Sequence, residues 1–183
     1  MFRSLIVIAS LALASCSSTG PAFARLEHPP ALAAERIELR LIDERPSVST
    51  NFSVPDWTIP GIGEQVAPPL DPGLQVALEF TLRKHLVRAA RSLRVEVHVQ
   101  EGLANWSASL FSESEKGSAR VSVMVFDTDG ERLLVTGTGE SWAERSSFDT
   151  SKERVIGILG MAVQGAALEC LASEPMRAAL AAP

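Results

Sequence analysis

The sequence predicts an α+β fold: a two-layer domain with two helices packed on one face of a mainly antiparallel sheet of about four strands. The first indication is periodicity, because four segments alternate apolar and polar residues as strands do, and two others have helical character. The second is order, because strand, long loop, helix, three strands and helix follow one another along the chain. A length of 183 residues suits one domain.

The first predicted strand is residues 36–42, where isoleucine and leucine alternate with charged residues. The next segment, 45–72, has no periodicity and carries six prolines. An irregular segment of this length is usually either functional or disordered. Large, rigid side chains contribute most to interface energy, so three residues of this loop are candidate partner-binding residues: Phe52, Trp57 and Ile59. The alternative is that they fold back over the domain's own sheet.

The first helix is predicted to begin with Asp71 as N-cap and Pro72 at the first helical position, and to run to about Ala90. Glu79 and Arg83 are spaced for an i,i+4 ion pair. The apolar stripe that would face the sheet consists of Leu74, Leu78, Leu82, His85 and Ala89.

Three strands are predicted next. In residues 93–110 the apolar residues change phase, which predicts a β-bulge near Gly102–Ala104. Residues 119–126 form the second of these strands, a tight turn at 127–130 follows, and 132–143 form the third. Trp106 and Trp142 lie on strands, either on a solvated face or beneath the loop.

The last predicted helix begins at a capping box, residues 150–153, and covers the apolar segment 155–171. We expect its three glycines to face the strands, Pro175 to end it and the tail after Met176 to fray. Two glycines in the preceding strand, Gly137 and Gly139, indicate that something packs closely over that strand.

The N-terminus indicates where the protein is located. Arg3 precedes an apolar core, residues 5–14, which is too short to span a bilayer and ends directly at Cys16. Residues 13–16 resemble a bacterial lipobox, which implies lipidation of Cys16 and cleavage before it. Ser17 follows, and by resemblance to enteric lipoproteins this favours the outer membrane. The alternative is an ordinary secretory signal cleaved after Ala-Phe-Ala, residues 22–24. The lipoprotein interpretation divides the chain into a signal peptide (1–15), a lipidated tether (16–35), a periplasmic domain (36–175) and a tail (176–183).

The composition argues against several classes of function. Seventeen Lys and Arg against 22 Asp and Glu, with no basic stripe, give no indication of nucleic-acid binding. If Cys16 is lipidated, Cys170 cannot form an intramolecular disulfide and is expected to be a small buried residue. His85 and His98 lack metal-ligand spacing, and we expect His98 on a solvated sheet face. We therefore predict neither metal, cofactor nor catalytic residues, and interpret the protein as a non-enzyme.

The order of elements, together with the lipobox, the turn at Asp129-Gly130 and the capped C-terminal helix, resembles the YajG-type small bacterial lipoproteins over residues 35–173. This resemblance implies an envelope accessory domain. The sequence thus predicts a lipid-anchored periplasmic domain that acts through a protein partner of the envelope. The alternative is a carrier that holds a small apolar ligand or lipid between the sheet and the C-terminal helix.

Overall fold

The computed structural model describes residues 32–54, 63–87, 89, 91–108, 113–127, 132–147 and 150–181. Within these residues the chain forms seven strands and three helices. In chain order they are β1 (Leu32–Ala33), β2 (Arg36–Asp43), β3 (Gly63–Val66), α1 (Leu74–Arg83), β4 (Leu86–Val87), β5 (Ser92–Ala108), β6 (Glu113–Asp127), β7 (Arg132–Ser147), α2 (Lys152–Ala172) and α3 (Glu174–Ala181).

The main sheet has the strand order β2-β5-β6-β7, and β3 pairs with the second half of β5. β2 is parallel to β5, whereas β3, β6 and β7 pair antiparallel with their neighbours. The α+β class, with helices packed on a mainly antiparallel sheet, is confirmed. The fifth strand was not predicted, because β3 is a four-residue strand within the proline-rich segment. Its pairing with β5 is tertiary and leaves little periodicity in the sequence.

The core lies between the helices and one face of the sheet, the inner face. α2 packs so closely there that a Cβ on Gly117 would lie 2.5 Å from the Ile158 carbonyl oxygen, and one on Gly139 would collide with that of Ala166. The close packing expected over the glycines of β7 is confirmed. By length and composition α2 could span a membrane, with a mean hydropathy of 1.8 over its most apolar window, but 61% of that window is buried in the domain.

The prediction that the three glycines of α2 face the strands is wrong for two of them. A Cβ on Gly157 would meet nothing within 4 Å, and one on Gly160 would approach Leu74 of α1. Gly165 alone is placed against a strand, next to Ser141. The close approach of helix and sheet therefore depends mainly on the glycines of the strands.

α1 starts later and ends earlier than predicted. Gly73 occupies the N-cap position, and Asp71 instead accepts a hydrogen bond from the Gly73 amide, at 2.6 Å. After Arg83 the backbone leaves the helix, because β4 pairs with β1 and the Leu32 amide donates to the His85 carbonyl. Tertiary pairing thus overrides the helical pattern. The buried stripe Leu74, Leu78 and Leu82 and the ion pair between Glu79 and Arg83 are confirmed.

The bulge in β5 exists but is nearer the N-terminus than predicted. Val99 pairs with Val121 and Glu101 with Arg120, so Gln100 is the extra residue. The apolar phase changes there because two consecutive residues of β5 oppose a single step of β6. β6 and β7 are longer than predicted, and the turn between them, residues 128–131, lies outside the described residues.

The expected frayed tail is wrong, since residues 174–181 form α3. Met176 and Leu180 are spaced i,i+4 and are buried against the domain. Pro175 does not end α2, because α2 already stops at Ala172. Pro175 lies in the first turn of α3, where backbone N–H groups make no hydrogen bond within the helix, so the missing N–H of proline costs nothing. At the start of α2, Ser151 is the N-cap and accepts from the Arg154 amide.

Candidate functional site

The outer face of the sheet, opposite the helices, carries an exposed tryptophan. Pairing places Leu103 of β5, Ser118 of β6 and Trp142 of β7 in one row across three strands. The Trp142 side chain is 75% exposed and that of Leu103 40%. Ser118 lies between them and is small, so the side chains at the two ends of the row project further from the sheet than the one in the middle. We call this row the Trp142 row.

Ion pairs flank the Trp142 row on both sides. On one side Arg120 bridges Glu101, at 2.7 Å, and Glu140, at 2.6 Å. The hydrogen bond to Glu140 and the charge of Glu101 raise the pKa of Arg120, so the guanidinium stays protonated. On the other side the Lys116 ammonium lies 3.2 Å from Glu144. An apolar row between charged rows resembles the core and rim of a protein interface.

Two shallow grooves run along the Trp142 row, one on each side. The groove beside Arg120 has a volume of about 420 Å³, and the groove beside Lys116 has a volume of about 360 Å³. Leu103, Ser118 and Trp142 line both grooves. Trp142 thus lies between two concave surfaces and lines both of them.

Phe52 packs within the domain. It is 8% exposed and belongs to the hydrophobic core, and the Lys152 ammonium lies 4.9 Å from its ring centroid. This is the packing expected if the loop folds back over the domain. Cys16, Trp57 and Ile59 lie outside the described residues, so lipidation of the first and partner binding by the other two stay predictions.

The described arms of the proline-rich loop are fixed to the sheet. The Arg45 side chain is 2% exposed and donates hydrogen bonds to the carbonyl oxygens of Pro68, at 2.9 Å, and Gly102, at 3.3 Å. Its guanidinium also pairs with Asp43 at 2.6 Å, which lowers the pKa of that carboxyl through the hydrogen bond between them. Arg45 therefore ties the residues that follow β2 to those that follow β3 and to the sheet.

Trp106 and Trp142 lie on opposite faces, although the sequence left both roles open for each. Trp106 is 3% exposed and belongs to the core, whereas Trp142 lies on the outer face. The sequence contained a signal that distinguishes them. Trp142 is two residues from Glu140 and from Glu144 and shares their polar phase, while Trp106 shares the phase of Ala104.

The expectation that His98 is solvated is wrong. His98 is 9% exposed, and its Nδ1 lies 2.7 Å from Glu44 Oε1. Glu96, whose Oε2 lies 3.6 Å from His98 Nε2, helps to cover the ring from its own strand. Cys170 is a buried residue, as predicted, and burial raises the pKa of its thiol to about 11.

The space between sheet and α2, where the alternative function would place an apolar ligand, is filled by the chain. At Gly117 and Gly139 the helix backbone itself contacts the strands. Buried side chains such as Val123 and Val163 fill the neighbouring positions. At these positions the described residues are in direct contact across the layer.

No protein-family model matches the sequence, and no curated protein is similar to it. Solved structures with a similar course of the chain include a Xanthomonas campestris protein of the DUF330 family, with 15% sequence identity, a TM-score of 0.40 and coverage of 81% of this chain and 90% of the other. A PelC dodecamer from Paraburkholderia phytofirmans has 13% identity, a TM-score of 0.35 and coverage of 82% and 92%. A Helicobacter pylori protein described as a neuraminyllactose-binding hemagglutinin homologue has 11% identity, a TM-score of 0.36 and coverage of 81% and 90%.

Proposed function

We propose that this protein is a non-catalytic, lipid-anchored domain of the bacterial envelope that binds a protein partner through the Trp142 row. The observation that carries the proposal is the 75% exposure of Trp142 on a sheet face that no described helix covers. A tryptophan buries 150–250 Å², about the largest contribution that one side chain makes to an interface. An exposed tryptophan therefore offers a partner a large area to bury.

The residues around Trp142 support a protein partner. Tryptophan and arginine are enriched among the residues that dominate interface energy, and Arg120 lies one row away. Its ion pairs with Glu101 and Glu140 are exposed, so they contribute little to the stability of the domain. At an interface they would form a polar rim that orients the partner.

The proposed anchor is the lipid on Cys16, with the outer membrane as its location. The tether predicted for residues 16–35 is shorter than expected at its C-terminal end, because Leu32 and Ala34 are already buried in the domain. Trp57 and Ile59 are proposed as an additional contact with the same partner, because the arms of their loop are held in place by Arg45.

Site-specific cross-linking tests this function. A photo-reactive phenylalanine analogue replaces Leu103 in the full-length chain, and cross-linking is carried out in intact envelopes. We expect one predominant cross-linked protein, which is lost when Trp142→Ala is added. The control position is Val76, which is 69% exposed on α1 and carries no part of the proposed surface.

Two results would contradict the proposal. Cross-linking at Leu103 that is no stronger than at Val76 would show that the Trp142 row is not an interface. Equal recovery of the product with and without Trp142→Ala would show that the indole does not take part. Membrane fractionation of Cys16→Ser tests the anchor separately, and an unchanged membrane fraction would exclude lipidation as the attachment.

A further inference from the structure

The main sheet has free edges at β2, at β7 and at the four-residue β3, and those of the two long strands differ in how they are protected. β2 and β7 each pair with one neighbour, β5 and β6 respectively. A free edge offers unpaired N–H and C=O groups to any extended chain, and natural sheets block it with charges, prolines, bulges or covering elements. The edge that is less protected is therefore the one that can pair with an added strand.

The β2 edge is short and blocked. It has eight residues, and the Gln75 side-chain amide of α1 donates to the Leu39 carbonyl oxygen at 3.2 Å. Glu38 and Arg40 project from the same strand, pair with each other at 2.9 Å, and are both about half-exposed. A side chain from the helix and two charges thus occupy this edge.

The middle of the β7 edge is long and carries little charge. Residues Val135–Ala143, which we call the open edge, contain a single charged side chain, Glu140, and Arg120 of β6 draws it away from the edge. A bulge at Leu134 bounds the open edge at its N-terminal end. Among the described residues, no backbone group outside β6 bonds to the open edge.

We propose that the open edge of β7 binds an extended, uncharged segment of the partner protein as an additional strand. This inference rests on the proposed function and names the form in which the partner is recognised. Nine residues at about 3.3 Å per residue give an edge of roughly 30 Å, enough for a typical strand. Backbone hydrogen bonds supply the attraction in this mode, and the side chains that flank the edge supply selectivity.

The charges of the outer face define the chemistry of the segment. The carboxylate of Glu140, the one charged group of the open edge, is paired with Arg120, which it shares with Glu101, so the open edge has no cation and no unpaired carboxylate to offer a charged segment. Trp142 lies on the open edge and projects from the outer face, beside the position of the added strand. The segment should therefore carry an apolar side chain opposite Trp142 and small or β-branched residues elsewhere.

The test uses a random 12-residue peptide library displayed on phage, selected on the mature chain. Peptides that bind are made synthetically, and amide hydrogen exchange is measured with and without them. We expect the outward-facing amides of the open edge to exchange at least about tenfold more slowly when the peptide is bound. Amides of β2 serve as the internal control and should not change.

Proline variants test the backbone bonds directly. Successive residues of an antiparallel strand direct their N–H groups to opposite edges. Thr138 and Ser141 therefore differ in direction, so one of Thr138→Pro and Ser141→Pro removes a bond to β6 and the other removes a donor from the open edge. The variant that keeps its melting temperature is the informative one, and we expect it to weaken peptide binding at least about tenfold.

The outcomes separate this inference from the proposed function. If Trp142→Ala abolishes the envelope cross-link but the informative proline variant binds peptides normally, the partner uses the face alone and the added strand is wrong. If the open-edge amides exchange more slowly without any peptide, simply because the concentration of this protein is raised, the occupant is a second copy. The inference is then likewise overturned. Loss of all cross-linking at Leu103 would instead refute the proposed function.

Discussion

Replacing Gly139 with alanine should destabilise the domain strongly, because the atom it adds meets backbone. The new Cβ would overlap the Ala166 carbonyl oxygen and lie 2.9 Å from the Cys170 Cβ. A carbonyl inside a helix cannot rotate away, so α2 must move off the sheet. Overpacking costs typically 1–3 kcal/mol, and with a rigid neighbour we expect about 3 kcal/mol. In a chain of this size that lowers the melting temperature by about 6–12 °C.

Two matched glycine-to-alanine variants serve as controls for Gly139→Ala. At Gly137 the added atom would approach Cys170 Sγ at 3.0 Å and Met176 Cε at 3.2 Å, which are side-chain atoms, so Gly137→Ala should cost less than Gly139→Ala. At Gly157 it meets nothing, and Gly157→Ala should stabilise α2 by about 0.5–1 kcal/mol, because alanine loses less backbone entropy. The assay is urea unfolding of the unlipidated chain. A free energy of unfolding for Gly139→Ala within about 0.5 kcal/mol of the parent, the range of an ordinary surface change, would refute the packing argument.

Four further predictions follow from burial and charge. Glu115 is fully buried and pairs with Arg145 at 2.6 Å and Arg154 at 2.9 Å. Because both arginines keep partial access to water, Glu115→Ala should lower stability in thermal unfolding by about 3 kcal/mol, the lower end of the range for a broken buried pair. With its pKa raised to about 11, Cys170 should not react with iodoacetamide at pH 8 until the chain is unfolded, and mass spectrometry measures this. The pKa of Asp43 is lowered from 3.8, so its charged carboxylate stabilises the fold fully above pH 3.8. This stabilisation is lost as the pH falls through the lowered pKa. The acid unfolding curve of Asp43→Asn should lack this contribution. Trp106→Ala should cost about 3–5 kcal/mol, whereas Trp142→Ala should leave the urea midpoint nearly unchanged.

The sequence predicted the elements whose signal is local. The alternation in β2 and β5 and the leucine stripe of α1 identified strands, helix and buried faces correctly. In each case the pattern and the tertiary environment agree. Apolar residues that repeat every two residues along a strand, or every 3.6 along a helix, lie on one face, and that face is the buried one. These elements needed no knowledge of their neighbours.

The elements that the sequence missed are those decided by tertiary contacts. β3 and β4 are short, and each exists because an extended backbone elsewhere pairs with it. α3 was mistaken for a frayed tail because Pro175 was taken as a terminator, whereas the burial of Met176 and Leu180 stabilises a new helix immediately after it. The position of the bulge at Gln100 was likewise fixed by the register with β6.

The candidate site was missed for a different reason. On the irregular loop the sequence selected Phe52, Trp57 and Ile59; the structure buries Phe52 at 8% exposure, and the other two lie outside the described residues. Trp142 was not selected, because the sequence left open whether it lies on a solvated face or beneath the loop. The alternation of β7 places Trp142 on the same face as Glu140 and Glu144. That this face is exposed follows only from the structure, which shows that the helices cover the other face.

The two faces of the sheet have separable roles, and this supports the proposal that Trp142 serves binding. The inner face is complete without it: α2 contacts the strands at backbone distance, and the valines of β5 and β6 are fully buried beneath the helices. Nothing on that face depends on the indole, which projects from the opposite side between two ion-pair rows. A sheet that needed only a solvated outer face would be served at this position by threonine or glutamate. A large apolar side chain there adds little to the stability of the domain but offers area to a second molecule, and the open edge of the same strand adjoins it.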